Sequence, residues 1–143
     1  MARSETAVLV ADTSAWIEYF RRTESACHRA LREALQNDTV LLIEPVKAEL
    51  LIGARTTTEL RDLRRFFESV ELGLIHPRDD FDSACDIYHR CRAVGLTIRG
   101  LPDCLIAAMV ARCELAVLHN DRDFAQMAAV IGFAEAPGSL VVT

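Results

Sequence analysis

Residues 6–11 read Thr-Ala-Val-Leu-Val-Ala, an apolar run without polar alternation, and the run ends on Asp12. A strand wetted on one face alternates apolar and polar side chains. A short continuous run reads instead as a strand covered on both faces, which is the pattern of a parallel sheet between helices. Thr6–Ala11 is therefore expected to be a first, buried strand.

The rest of the chain repeats that theme. Ser14–Arg22 and Glu24–Gln36 read as helices, the second with Cys27, Ala30, Leu31, Ala34 and Leu35 on one face. Thr39–Ile43 is a second apolar strand, and Pro45 suits the first turn of a helix running to Ala54. Thr56–Val70 is amphipathic, and Leu72–His76 reads as a short strand. Asp79 or Asp80 can cap the next helix, which Gly95 ends and which shows an apolar face of Phe81, Ala84, Cys85, Tyr88 and Cys91. Asp79, Asp80 and Asp82 are accordingly read as capping and solvated. A helix from Pro102 to Arg112, a strand Ala116–His119, a helix Asp123–Ile131 and a last strand Leu140–Val142 complete the chain. Strands separated by helices predict an α/β fold, a three-layer α/β/α sandwich with a mostly parallel central sheet.

The 143 residues suit one domain spanning 1–143, and 51% apolar residues supply its core. No apolar run is long enough for a transmembrane helix, and the N-terminal run is too short for a signal sequence, so a cytoplasmic protein is expected. The five cysteines contain no C-x-x-C pair and read as reduced core residues. A net charge of −5 disfavours nonspecific binding to polyanions, although all the basic residues except Lys47 are Arg, which suits phosphate.

Against that background the acids are conspicuous. Asp12 ends one apolar run, Glu49 lies inside PVKAELLIGA, Asp103 opens LIAAMVA, and Asp121 and Asp123 follow AVLH. A carboxylate beside a core segment needs a partner, because an unpaired buried charge is costly. Asp12 and Asp121 each follow a predicted parallel strand. Glu49 lies one turn into the helix after the second strand and Asp103 in the first turn of its helix, and both helices follow loops that can lead back to that sheet edge, where open α/β sheets bind ligands. Several carboxylates in one cleft repel by about 4 kcal/mol per close pair at an effective dielectric near 20. Some should hold raised pKa values, and a hard cation would relieve them. Oxygen ligands favour Mg²⁺ or Mn²⁺, and the four histidines lack zinc spacing. An activated water at such a site needs no side-chain nucleophile, and no G-x-S-x-G, P-loop or G-x-G-x-x-G is present.

In four places the chain resembles the PIN-domain ribonucleases, and within them VapC-type toxins: VLVADTSAWIEYF, EPVKAELLIGA, LPDCLIAAMVA and LHNDRDF, in order from Val8 to Phe124. The resemblance implies a Mg²⁺- or Mn²⁺-dependent endoribonuclease with Asp12, Glu49, Asp103 and Asp121 as the acids, Asp123 assisting and Ser14 holding Asp12. It also implies a structured RNA substrate such as transfer or ribosomal RNA, a homodimer or toxin–antitoxin hetero-oligomer, and a cognate VapB-type antitoxin as inhibitor. The family often has Thr or Ser two residues before the fourth acid, where this chain has His119. His119 and Arg99, in the loop before Asp103, are the candidates for RNA contact. Two other readings compete. A haloacid-dehalogenase-like phosphatase also starts with a strand ending in Asp, but it wants a second Asp where Ser14 stands. A catalytically weak PIN-like binding module would not need the full acid set.

Overall fold

The computed structural model describes residues 7–142. Four parallel strands form the centre: β1 (Leu9–Ala11), β2 (Val40–Ile43), β3 (Glu71–Gly73) and β4 (Ala116–Leu118), in the order β3-β2-β1-β4. Leu9 pairs with Val40 on one side and Ala116 on the other, so β1 is central and is buried toward its end. Thr6, placed by the sequence in the first strand, lies outside the described residues. Among the described residues seven helices flank the sheet: α1 (Thr13–Phe20), α2 (Ala26–Gln36), α3 (Glu44–Ile52), α4 (Thr57–Phe67), α5 (Pro77–Ala93), α6 (Leu101–Cys113) and α7 (Arg122–Ile131). The expected α/β sandwich with a parallel sheet is what forms.

The strand order sets the site. From β1 the chain passes to β2 on one side, while β4 joins on the other, so the topological switch falls between β1 and β4. Open α/β sheets bind ligands at such a point, at the carboxyl ends of the strands. Asp12 stands at this point, its amide donating to the Leu118 carbonyl at 3.0 Å.

The core has two parts. One lies against the sheet and includes Val10, Leu42, Ile43, Leu31 and Trp16. The other joins α5, α6 and α7 through Ala84, Ile87, Cys91, Cys104 and Met127. Trp16 is fully buried, in edge contact with Tyr19, Phe66 and Phe67, whereas Phe20 stacks on it and stays 38% exposed. The three aromatics of α1 thus do not all face inward, as their spacing predicts.

Three expectations need correction. The buried face of α5 is Asp80, Ala84, Ile87 and Cys91, while Phe81, Cys85 and Tyr88 are exposed. The predicted face is rotated because Asp80 is not a solvated cap. It is 1% exposed, accepts the His76 amide at 2.8 Å, and is gripped by Arg112 of α6 through Nε at 2.7 Å and a second guanidinium nitrogen at 2.9 Å. The bidentate pair lets an acid occupy a core position. Cys85 is accordingly an exposed thiol and not a core residue. Finally, Leu140–Val142 is no strand. The segment that pairs beside β4 comes earlier: the Val117 amide donates to Ala134, and the Ala136 amide to Val117.

This C-terminal segment then turns at Gly138, whose φ of +99° belongs to the left-handed side of backbone space. A Cβ there would stand 2.8 Å from the Ala30 Cβ and 3.1 Å from the Ala26 carbonyl oxygen of α2. Both strain and overlap oppose a side chain. Gly138→Ala is expected to destabilise the fold by about 2 kcal/mol in urea denaturation; a change below about 0.5 kcal/mol would show that the tail is not seated on α2.

Candidate active site

Asp12 is the N-cap of α1 and is only 2% exposed. One carboxylate oxygen accepts the Ser14 hydroxyl at 2.6 Å and the Ala15 amide at 3.1 Å. Ser14 also accepts the Asn120 amide at 2.8 Å, so one hydroxyl joins the first acid to the loop after β4. Asn120 in turn donates to Glu18 at 3.1 Å. Ser14 therefore stands where the sequence puts it, against Asp12.

Glu49 lies near the end of α3, half-buried, and accepts the Thr13 hydroxyl at 2.6 Å. Asp103 is in the first turn of α6, where the helix dipole favours negative charge. Asp121 is the N-cap of α7 and accepts the Asp123 amide at 2.9 Å, which puts Asp123 in the first turn and not at the cap. Arg99 lies over the last two acids, its Nε 3.2 Å from Asp123 and a terminal nitrogen 4.0 Å from Asp121.

The acids act on one another electrostatically. Burial pushes Asp12 up to about 7, against the lowering effect of Ser14 and the Ala15 amide, and the charges of Asp121 and Asp103 push the same way. Asp103 is raised to about 6, first by burial, then by the charges of Glu49 and Asp121; Arg99 lowers it and Asp123 raises it. The five predicted acids thus form one interacting group. Among the described residues, however, no three Asp, Glu, His or Cys side chains already converge closely enough to hold an ion together. The cluster is gathered but not drawn tight.

A raised carboxylate pKa has a definite sign in stability. Between about 4 and about 7 the folded Asp12 keeps a proton that the unfolded chain, with its ordinary value of 3.8, releases. The native state binds more protons, so this group makes stability fall as pH rises through that window. In chelator, Asp12→Asn is expected to melt near wild type at pH 4 and well above it at pH 7. A difference independent of pH between those limits would contradict the burial of Asp12 as a titrating group.

His119 is not a surface contact. Its side chain is fully buried, so the expectation that it touches RNA is corrected. Nε2 lies 2.6 Å from the Glu135 carboxylate, and Nδ1 accepts the Asp121 amide at 3.3 Å. Arg99 is 74% exposed and remains accessible to a ligand. Thr13, Asn120 and Glu135 are contributors that sequence reading passed over. Thr13 adjoins Asp12, Asn120 adjoins Asp121, and Glu135 is a lone acid in the stretch GFAEAPG.

A parallel sheet with acids gathered at its switch point has known counterparts. The PIN-domain family model matches residues 9–130. A VapC ribonuclease of Mycobacterium bovis and ribonuclease VapC11 of Mycobacterium tuberculosis are each 34% identical over 119 residues, covering 82% of this chain and 89% of theirs. The chain belongs to the PIN-domain family. Solved structures share the fold at lower identity: DNA-bound VapBC from Salmonella typhimurium (TM-score 0.73, 18% identical, 92% of this chain and 98% of that one) and VapBC2 from Rickettsia felis bound to a promoter DNA fragment (TM-score 0.72, 16% identical, 90% and 97%). No helix among the described residues is long and apolar enough to cross a membrane.

Proposed function

We propose that the protein is a Mg²⁺- or Mn²⁺-dependent endoribonuclease, the toxin of a toxin–antitoxin pair, hydrolysing a phosphodiester bond of a structured RNA such as transfer or ribosomal RNA. The observation that carries this reading is the gathering of carboxylates about the switch point, where burial first, and then the charges of neighbouring acids, raise Asp12 and Asp103 toward neutrality. Membership of the PIN-domain family and 34% identity to VapC ribonucleases support the same reading.

The donor set suits a hard divalent cation. Every side chain in the group offers carboxylate oxygen, and the nearby imidazole is already engaged with Glu135. Mg²⁺ keeps several waters and takes only one or two carboxylates directly, so a loosely gathered cluster fits it. Asp12 and Asp103 would hold the ion, with Glu49, Asp121 and Asp123 around it. When bound, the cation supplies the positive charge that keeps the acids ionised, polarises the phosphate and activates the attacking water.

The chain's own residues do the rest. Ser14 and the Ala15 amide hold one oxygen of Asp12 and leave the other free. Thr13 orients Glu49. Arg99, exposed and paired with the carboxylates of Asp121 and Asp123, can exchange Asp123 for a substrate phosphate, which an Arg grips well. A phosphatase of the haloacid-dehalogenase type needs a second aspartate where Ser14 instead serves the first.

The partner proposed is a VapB-type antitoxin, with the protein acting in the cytoplasm as a homodimer or within a toxin–antitoxin hetero-oligomer. Purified protein with Mg²⁺ or Mn²⁺ should cut RNA internally and stop when chelator is added. Its expression should arrest growth unless the antitoxin is co-expressed. Hydrolysis of a small phosphoester without RNA cleavage would overturn the proposal.

A further inference from the structure

His119 occupies the strand-end position before Asp121, yet its ring is sealed from solvent. Its two nitrogens have different partners. Nδ1 faces the Asp121 amide, which can only donate, at 3.3 Å, so Nδ1 must be the bare nitrogen. Nε2 then carries the hydrogen and donates it to Glu135 at 2.6 Å. A carboxylate on one imidazole nitrogen selects which tautomer the ring adopts.

The backbone around this ring is pinned as well. The His119 amide donates to the Ser139 hydroxyl at 3.2 Å, Ser139 donates to the Val117 carbonyl at 3.2 Å, and the Leu140 amide donates to the His119 carbonyl at 2.9 Å. Phe124 packs against the ring with centroids 6.0 Å apart. The C-terminal segment that carries Glu135 thus closes over His119 and fixes it on β4.

We propose that Glu135 and His119 are positioning residues for Asp121. Glu135 sets the His119 tautomer, His119 accepts the Asp121 amide, and that bond orients the Asp121 carboxylate toward Asp12 and Asp103. The inference rests on the ribonuclease reading of the acids, and it extends the site to a C-terminal segment outside the residues matched by the family model.

The test uses the full chain with Mg²⁺ and RNA. Glu135 is 37% exposed, so Glu135→Leu buries no charge and leaves none unpaired. Glu135→Leu and His119→Phe should each lower kcat about 10-fold with KM nearly unchanged, the size typical of lost supporting contacts in metal sites. Glu135→Gln keeps an acceptor for Nε2 and His119→Asn keeps one for the Asp121 amide, so both should retain most of the activity. The Glu135→Leu/His119→Phe pair should be no worse than either single change, because both break one chain. Nitrogen-15 spectra of wild type should show the hydrogen on Nε2, and Glu135→Leu should weaken that preference, leaving the Asp121 amide alone to hold it. Additive losses, an unchanged kcat in Glu135→Leu, or a hydrogen on Nδ1 in wild type would overturn the proposal. Asp103→Asn measured in parallel separates the two claims. If it still cleaves, the acid-site reading fails, and the imidazole spectrum still decides the tautomer by itself.

Discussion

Asp103→Asn is expected to lower RNA cleavage by about 10³-fold while leaving the fold at least as stable as wild type. Asparagine matches aspartate in shape and removes only the charge. Asp103 makes no side-chain cap bond to α6, which begins at Leu101 with Pro102 in its first turn, so the helix does not depend on the carboxylate. Its charge is opposed by burial and by Glu49, Asp121 and Asp123, so losing it relieves repulsion in the metal-free protein. The expected signature is therefore a large loss of activity with an equal or higher melting midpoint. A folding defect would lower both. Cleavage within tenfold of wild type would remove Asp103 from the machinery.

The second large effect is structural. Arg112→Met should destabilise the protein by about 3–5 kcal/mol in urea denaturation, because it strands a buried carboxylate. Asp80 is 1% exposed, and Arg112 also reaches the Leu74 carbonyl at 3.2 Å, so one side chain ties α5, α6 and the segment after β3 together. Burial alone would raise the Asp80 pKa. The Arg112 hydrogen bonds and charge and the His76 amide outweigh it and hold the group below its ordinary value. A depressed acid contributes stability that is present above the unfolded carboxylate pKa and lost as pH falls through the folded one. The deficit of Arg112→Met should therefore shrink in acid. A loss below about 1 kcal/mol at pH 7 would show that the pair is not essential to the packing of α5 on α6.

β1, β2 and β4 were legible because they are unbroken apolar runs, whereas β3, the exposed Glu71–Gly73, overlaps the expected Leu72–His76 only in part. Val10 and Ala11 are buried, and Asp12 follows directly. The helix starts were legible to within a turn: the sequence put them at Glu24, Thr56 and Pro102, and the structure caps α2 with Ser25 and α4 with Thr56 and begins α6 at Leu101. What escaped reading depended on partners distant in sequence. The face of α5 turns on Asp80, which looks like a cap until Arg112, 32 residues later, is seen gripping it. His119 looks like a candidate for RNA contact until Glu135, 16 residues on, is seen paired with it. The edge of β4 is covered by Ala134–Ala136 and not by the more apolar Leu140–Val142, because Gly138 turns the chain onto α2 before the apolar residues arrive. Local pattern reports burial and periodicity; it does not report which distant charge makes a polar residue acceptable inside.

The same distinction applies to the acids. Their order along the chain and their places on strand ends and helices suggested one cleft, and the electrostatics link them through Asp103, which Glu49, Asp121 and Asp123 raise and which with Asp121 raises Asp12. The holding contacts were not visible in advance. Thr13 on Glu49, Asn120 on Ser14, and Arg99 on Asp123 each join elements from different parts of the fold.

The most direct test of the central claim compares wild type with Asp12→Asn/Asp103→Asn on total RNA in Mg²⁺, mapping every new 5′ end. Internal cleavage by wild type alone, abolished by chelator, is the predicted result. Equal cleavage by the double variant, or cleavage by wild type undiminished in chelator, would contradict it.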